Sequence, residues 1–314
     1  MYFPFLRGKQ HELFALRDLK DSNVLSGEIL PVIEPVKYST QLVSTLKGLL
    51  DDNRKLIMIM NPSVGTFVDD LNDNEELMEE ILELMGHRNA TIGYYLNSNA
   101  ALEELPQLVN RCNRTLEETA VFHSDLRYLD AYEVMFAEHE AKYNFIADIK
   151  PLKRRFANNN GVLLRDSFIK RSPNAEYLNH QVEWFSSDHL DFEQEGFLGF
   201  SDYSIVGEEY TESGFGAKAV AFHILYPDDA KNLWVRHFVS DSNENRADQA
   251  GKFGEALYKF VNWYNQNETA LINTKGINEL LDCYKNGNYP GLGMLKRYSI
   301  KHHLELVGNM LVKV

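Results

Sequence analysis

Polar side chains recur in this sequence where short apolar runs stop. Gly196-Phe-Leu-Gly-Phe200 ends in Ser201 and Asp202, and six earlier runs end in the same manner. Ile29–Val36 carries Glu34 and is followed by Lys37, Lys55–Met60 ends at Asn61, and Thr91–Leu96 ends at Asn97. Thr119–Phe122 leads into His123 and Asp125, Asn144–Ile149 carries Asp148 with Lys150 beyond it, and Gly161–Leu164 leads into Arg165 and Asp166. His223 lies inside a later run, Ala-Phe-His. Carboxylates gathered in one mouth would bind a divalent cation such as Mg²⁺ or Mn²⁺ through oxygen, or divide into a general acid and a general base. Lys and Arg among them suit a phosphate, Arg by bidentate hydrogen bonding. On this reading Glu34, Asp125, Asp148, Asp166, Asp202 and His223 are the catalytic candidates. Lys37, Lys150 and Arg165 would hold the substrate, a phosphorylated small molecule or a nucleic-acid end.

Such a constellation needs elements to position it. Apolar runs alternate with helical spacings, for example Leu13, Phe14, Leu16 and Leu19, or Leu42, Val43, Leu46, Leu49 and Leu50. The alternation is that of repeated strand–helix units on a parallel sheet. With Tyr2–Leu6 as the first, about eight strands lead up to Ser204, the number that closes a (β/α)₈ barrel of the TIM type. An open doubly wound sheet is the alternative, but no Gly-x-Gly-x-x-Gly turn follows an early strand. Ala219–Tyr226 and Leu233–Val239 read as a late hairpin, which would supply the eighth strand if the first is wrong. Asn174–Ser186 reads as a helix, 151–160 and 212–216 as loops, and 248–265 and 277–314 as helical, the last broken at 286–293. The expected division is residues 1–240 as an α/β barrel that includes the hairpin, and 241–314 as a C-terminal helical extension packed on it.

A formal net charge of -14 argues against a broad non-specific nucleic-acid surface. Cys112 and Cys283 are the only cysteines, without metal-type spacing, so a reducing cytoplasmic setting is expected. The start lacks the apolar core of a signal peptide, and no apolar run reaches the roughly 20 residues of a membrane span. No nucleophile elbow, P-loop, paired Cys-x-x-Cys or His-Glu-x-x-His motif is present.

Each candidate has a plainer reading. Strand-end Asp and Asn often cap the next helix, as expected of Ser39 and Asp130. Glu34 in an apolar strand demands a partner, Lys37 or Lys150, and that would make a structural ion pair as readily as half of an active site. For His123 and His223 the competing role is a hydrogen-bonded core histidine. The acidic stretch 69–83 reads as a solvated helix face, and Lys153-Arg154-Arg155 as surface.

Four segments in order resemble the beta protein family of bacteriophages, prophages and bacterial genomes. They are Pro4-Phe-Leu-Arg-Gly-Lys-Gln-His-Glu12-Leu-Phe-Ala-Leu16, Leu30-Pro-Val-Ile-Glu34, Val162-Leu-Leu-Arg165 and Gly199-Phe-Ser-Asp202-Tyr. Phe222-His-Ile-Leu-Tyr226 with Trp234-Val-Arg236 is similar too, so the resemblance runs to about residue 240. It singles out Glu12, Glu34, Arg165, Asp202 and His223. His11 and Ser201 stand where the family pattern has glycine. The resemblance carries no reaction. It implies an accessory or defence gene of a mobile element, with a protein partner from a neighbouring defence or prophage gene. Hence two expectations stand: a metal-assisted phosphoester hydrolase at the barrel mouth, or a non-catalytic binding or scaffold subunit whose aromatic residues serve an interface.

Overall fold

The computed structural model describes residues 1–211, 218–267 and 273–312, so the loop read at 212–216 lies outside the described residues. In chain order the elements begin with β1 (Phe5–Leu6), α1 (Gln10–Asp21), β2 (Val32–Ile33), α2 (Thr40–Asp51) and β3 (Leu56–Ile59). Next come α3 (Phe67–Asn72), α4 (Glu75–Met85), β4 (Ala90–Tyr95), α5 (Asn99–Arg111), β5 (Ala120–His123) and α6 (Leu129–Met135). Then follow β6 (Tyr143–Ala147), α7 (Lys150–Phe156), β7 (Gly161–Arg165), β8 (Val182–Ser186), α8 (Asp188–Asp191) and β9 (Gly199–Asp202). The last elements are β10 (Ala221–Pro227), β11 (Leu233–Val239), α9 (Gln249–Asn267), α10 (Lys275–Asn286) and α11 (Leu292–Leu311). Two compact units are formed: Met1–Leu13, Glu28–Arg165 and Asp191–Asp202 make the first, and Phe14–Gly27, Asp166–Leu190 and Tyr203–Val314 the second.

The first unit is the expected barrel. Eight parallel strands run in the order β1-β2-β3-β4-β5-β6-β7-β9, and Tyr2 bridges Phe200 to bring the two ends together. The N-terminal strand therefore closes the barrel and the late hairpin does not. β1 and β2 are only two residues long because Pro4, Pro31 and Pro35 lack N–H donors. Pairing nevertheless continues past them, since the Pro4 and Pro31 carbonyls accept from Val32 and Ile57 at 2.9 Å. Gly199 is what lets the chain start approach: a Cβ there would lie 2.2 Å from the Met1 carbonyl oxygen.

Ring contacts identify the inner face. Phe5 of β1 meets Phe122 of β5 at 6.0 Å, and Phe3 meets Phe145 of β6 at 5.3 Å. Strands so far apart in the ladder touch only across the interior. Side chains alternate along a strand, and registered partners in neighbouring strands share a face. Phe5 pairs with Val32, so the odd positions of β1 and the even positions of β2 point inward. Phe122 pairs with Phe145, which sends their neighbours His123, Asn144 and Ile146 outward to the helices. Phe200 and Asp202 are registered with Leu163 and Arg165, on that same outer face.

The second unit is built on a three-stranded antiparallel sheet, β10-β11-β8. Phe222, Ile224 and Phe238 on one sheet face pack against Phe253, Phe260 and Trp263 of α9, with Ile277, Leu280 and Leu295 from α10 and α11. Residues 174–186 are not one helix. Asn174–Asn179 is a 3₁₀ turn and Val182–Ser186 is β8. β-Branched and aromatic residues (Val182, Trp184, Phe185) prefer a pleated surface, and pairing with β11 satisfies their backbone. The segment read as a loop after Ile149 contains α7 instead, because a proline in the first helical turn gives up an N–H that has no helical partner. Among the described residues no helix is long and apolar enough to cross a membrane.

Candidate functional site

In the barrel, the only predicted site carboxylate on the inner face is Glu34. It follows β2, is fully buried, and forms an ion pair with Arg7. Its other oxygen accepts from the Ser63 N–H and hydroxyl, both at 2.8 Å. Gly65 seats that loop, at φ 82° with its Cα packed so closely on Val36 that a Cβ would fall 1.8 Å from the Val36 carbonyl oxygen. Glu12, also buried, accepts from the Arg7 backbone N–H at 2.6 Å. Glu34 thus has its partner, and the partner is Arg7 rather than Lys37 or Lys150, both of which are exposed. Asn61 completes the β3–β4 ladder by exchanging hydrogen bonds with the Tyr95 backbone at 2.8 and 3.0 Å. Asn97 is exposed.

The remaining barrel candidates sit on or beyond the outer face. Asp202 accepts from the Tyr2 hydroxyl at 2.8 Å, and burial together with that carboxylate pushes the Tyr2 phenol well up. Ser201, next to Asp202 and of the opposite, inward parity, donates to the Phe3 carbonyl at 2.6 Å. Arg165 and Lys153 both hold Asp148, at 2.9 and 3.1 Å, and Lys153 reaches Glu195 at 3.1 Å. Burial pushes the Asp148 carboxyl up, but hydrogen bonds from Lys153 and the attraction of Arg165 leave it below the usual value. Asp125 caps a local turn through the Arg127 N–H at 2.9 Å and pairs with the Arg127 guanidinium. His123 is packed between Tyr132 and Phe156 and donates from Nε2 to the Asn144 amide oxygen at 3.0 Å. Burial lowers this histidine to about 4. Asp148 and Arg165 are therefore brought together, whereas Glu34 is separated from them by the barrel wall.

Asp166 and His223 belong to the second unit. Asp166 accepts backbone N–H groups of Phe168 and Glu208 at 3.3 and 2.9 Å, which ties two loop segments together. His223 is the end of a chain of charged and polar groups. Its Nδ1 lies 2.7 Å from Nδ1 of His237, its direct cross-strand partner in β11. His237 Nε2 is 3.1 Å from Glu183 of β8, and Glu183 is ion-paired with Arg171. Tyr177 and Phe168 pack on the imidazoles at centroid distances of 4.5 to 6.1 Å.

Proton accounting fixes the tautomers. A carboxylate only accepts, so His237 donates from Nε2 to Glu183. Burial lowers His237 to about 4 despite the pull of Glu183, so the ring is neutral at pH 7 and its Nδ1 carries a lone pair. His223 must then donate from Nδ1. Burial, with His237 beside it, holds His223 well below the ordinary histidine value, which leaves a lone pair on Nε2. Among the described residues that nitrogen has no hydrogen-bond partner, and the residue is only half-buried. The Arg171–Glu183–His237–His223 relay can take a proton at one atom and spread the charge toward a carboxylate. Sequence alone singled out His223. It offered no signal for Arg171, and the helical reading of 174–186 hid the strand that carries Glu183.

Among the described residues, no group of three or more His, Cys, Asp and Glu side chains is placed to hold a metal ion. Neither family models nor curated proteins provide a match to this sequence.

Proposed function

We propose that the chain is a hydrolase in which His223 acts as general base, with the phosphoester expected from the sequence as its substrate class. The observation that carries this reading is the relay of Arg171, Glu183, His237 and His223, which presents an open imidazole lone pair at neutral pH. His223 Nε2 would take the proton from an attacking water. His237 and Glu183 would hold the ring in the required tautomer and stabilise the imidazolium as it forms.

The test is turnover of bis-(4-nitrophenyl) phosphate, nucleoside monophosphates and short oligonucleotides. A general base contributes about 10²–10⁴-fold, so His223→Gln should lose activity on that scale. Far-UV dichroism and the unfolding midpoint should stay close to those of the parent. The acid limb of kcat/KM should lie below pH 6.5, since the folded histidine is shifted downward. Undiminished turnover in the folded His223→Gln protein would overturn the assignment, as would the absence of turnover with every ester.

A second reading is favoured by the barrel itself. Glu34, Asp125, Asp148 and Asp202 are all engaged by cations or by donors. Carboxylates so occupied suit a scaffold. The resemblance to the beta protein family then supports a role in a phage or prophage module, with a neighbouring gene product as partner. Co-purification of the tagged protein with its neighbouring gene products tests this: a stoichiometric complex that survives His223→Gln supports it.

A further inference from the structure

A cavity of about 380 Å³ opens in the second unit beside α9, within the range of small-molecule sites. Its wall includes Gln181, Arg236, Phe238, Lys259, Asn262 and Trp263. No Asp or Glu lines it among the described residues, although the chain as a whole carries a net charge of -14.

Arg236 is the distinctive group. Its guanidinium lies 5.8 Å from the ring centroids of both Phe238 and Trp263. It makes no ion pair and no hydrogen bond among the described residues, unlike Arg7, Arg155, Arg165, Arg171 and Arg297. Aromatic faces fix the plane of a guanidinium and shed its water while leaving all of its N–H donors open. Lys259 stands at the rim, anchored to the Val239 carbonyl at 2.8 Å and to Asp241 at 2.6 Å. The side-chain amides of Gln181 and Asn262 add donors and acceptors, and Leu178 and Val239 add apolar surface.

We propose that this cavity is a binding site for a small anion, a phosphate- or carboxylate-bearing molecule held bidentately by Arg236. His237 of the relay also borders this cavity, but the anion would be held by Arg236. Arg236 and His237 are adjacent in β11, so their side chains leave opposite faces of the sheet. The site would serve for recognition or control and requires no turnover.

Isothermal titration with benzylphosphonate, benzoate and inorganic phosphate tests the inference with ligands that hydrolysis does not consume, so failure of the hydrolase reading leaves the result intact. Saturable binding of benzylphosphonate or benzoate is expected, and which of them binds identifies the head group. Arg236→Met keeps much of the aromatic packing and removes the donors, so affinity should fall at least about tenfold. Arg236→Lys, the fallback should the Met variant fail to fold, should also weaken binding because a point charge replaces the fork. No heat from any of the three ligands up to about 10 mM, or equal affinity in a folded Arg236 variant, would overturn the proposal.

Discussion

Both units hold closed ion pairs, and the second, where Arg297 and Lys301 close on Asp18, adds two groups of another kind. In the barrel, charged groups close on one another: Arg7 with Glu34, Arg165 and Lys153 with Asp148, and Arg127 with Asp125. In the second unit the relay begins as an ion pair and ends on an imidazole lone pair, and Arg236 ends on aromatic rings. Closed pairs stabilise and orient. Open ends are free to meet a ligand or a proton. A count of polar residues at strand ends cannot separate the two, since what matters is whether a valence is left over.

The largest expected effect is the response to acid, and it should differ between the units. His237 and His302 in the second unit and His123 in the barrel are each lowered from the ordinary histidine value to about 4, burial being the leading cause. The sign follows from linkage. The unfolded chain binds these protons more readily, so the stabilisation is present above pH 6.5 and is lost as pH falls toward 4. Each histidine contributes up to about 3 kcal/mol across that window, enough together to unfold an ordinary domain. Trp184, Trp234 and Trp263, the only tryptophans, all belong to the second unit, so tryptophan fluorescence reports on it alone. The fluorescence transition should come at higher pH than the loss of amide protection in β5 and β6. A barrel that opens first would break the comparison.

Next in size is the buried pair in the barrel. Removing one member leaves a buried charge uncompensated, so Glu34→Gln or Arg7→Met should cost about 3–5 kcal/mol in urea unfolding. The double change Arg7→Met with Glu34→Leu should cost clearly less than the sum of the single ones. A smaller loss is expected in the relay. Glu183→Gln leaves Arg171 without its carboxylate, although the guanidinium is partly exposed, so stability should fall by about 1–2 kcal/mol. A fully additive Arg7–Glu34 cycle would show that the pair is not the closed unit described.

The barrel was legible because its signal repeats: each apolar run and each polar stop marks one turn of the strand–helix cycle. Its site was less so. In a parallel sheet both strand faces are apolar, so alternation cannot tell Glu34, which points inward, from Arg165 and Asp202, which point outward. Only register settles this, and the Phe5–Phe122 contact across the interior shows which parity is which. The relay was hidden for another reason. His223 and Glu183 are far apart in sequence, and residues 174–186 show a helix-like spacing of Tyr177, Leu178, Val182 and Phe185 until pairing of β8 with β11 decides the matter.

The smallest expected effect is the sharpest on function. Asp148 is a strand-end carboxylate of the kind the sequence marks as catalytic, yet Arg165 and Lys153 occupy both of its oxygens and its side chain is 43% exposed. An exposed pair of this type contributes below about 1 kcal/mol and is weakened by salt. Asp148→Asn should therefore shift the unfolding midpoint slightly at low ionic strength and hardly at all in high salt. Hydrolysis should be unchanged in the same protein. If Asp148→Asn instead removes turnover while His223→Gln retains it, the chemistry belongs to the barrel and the relay is a structural element of the second unit.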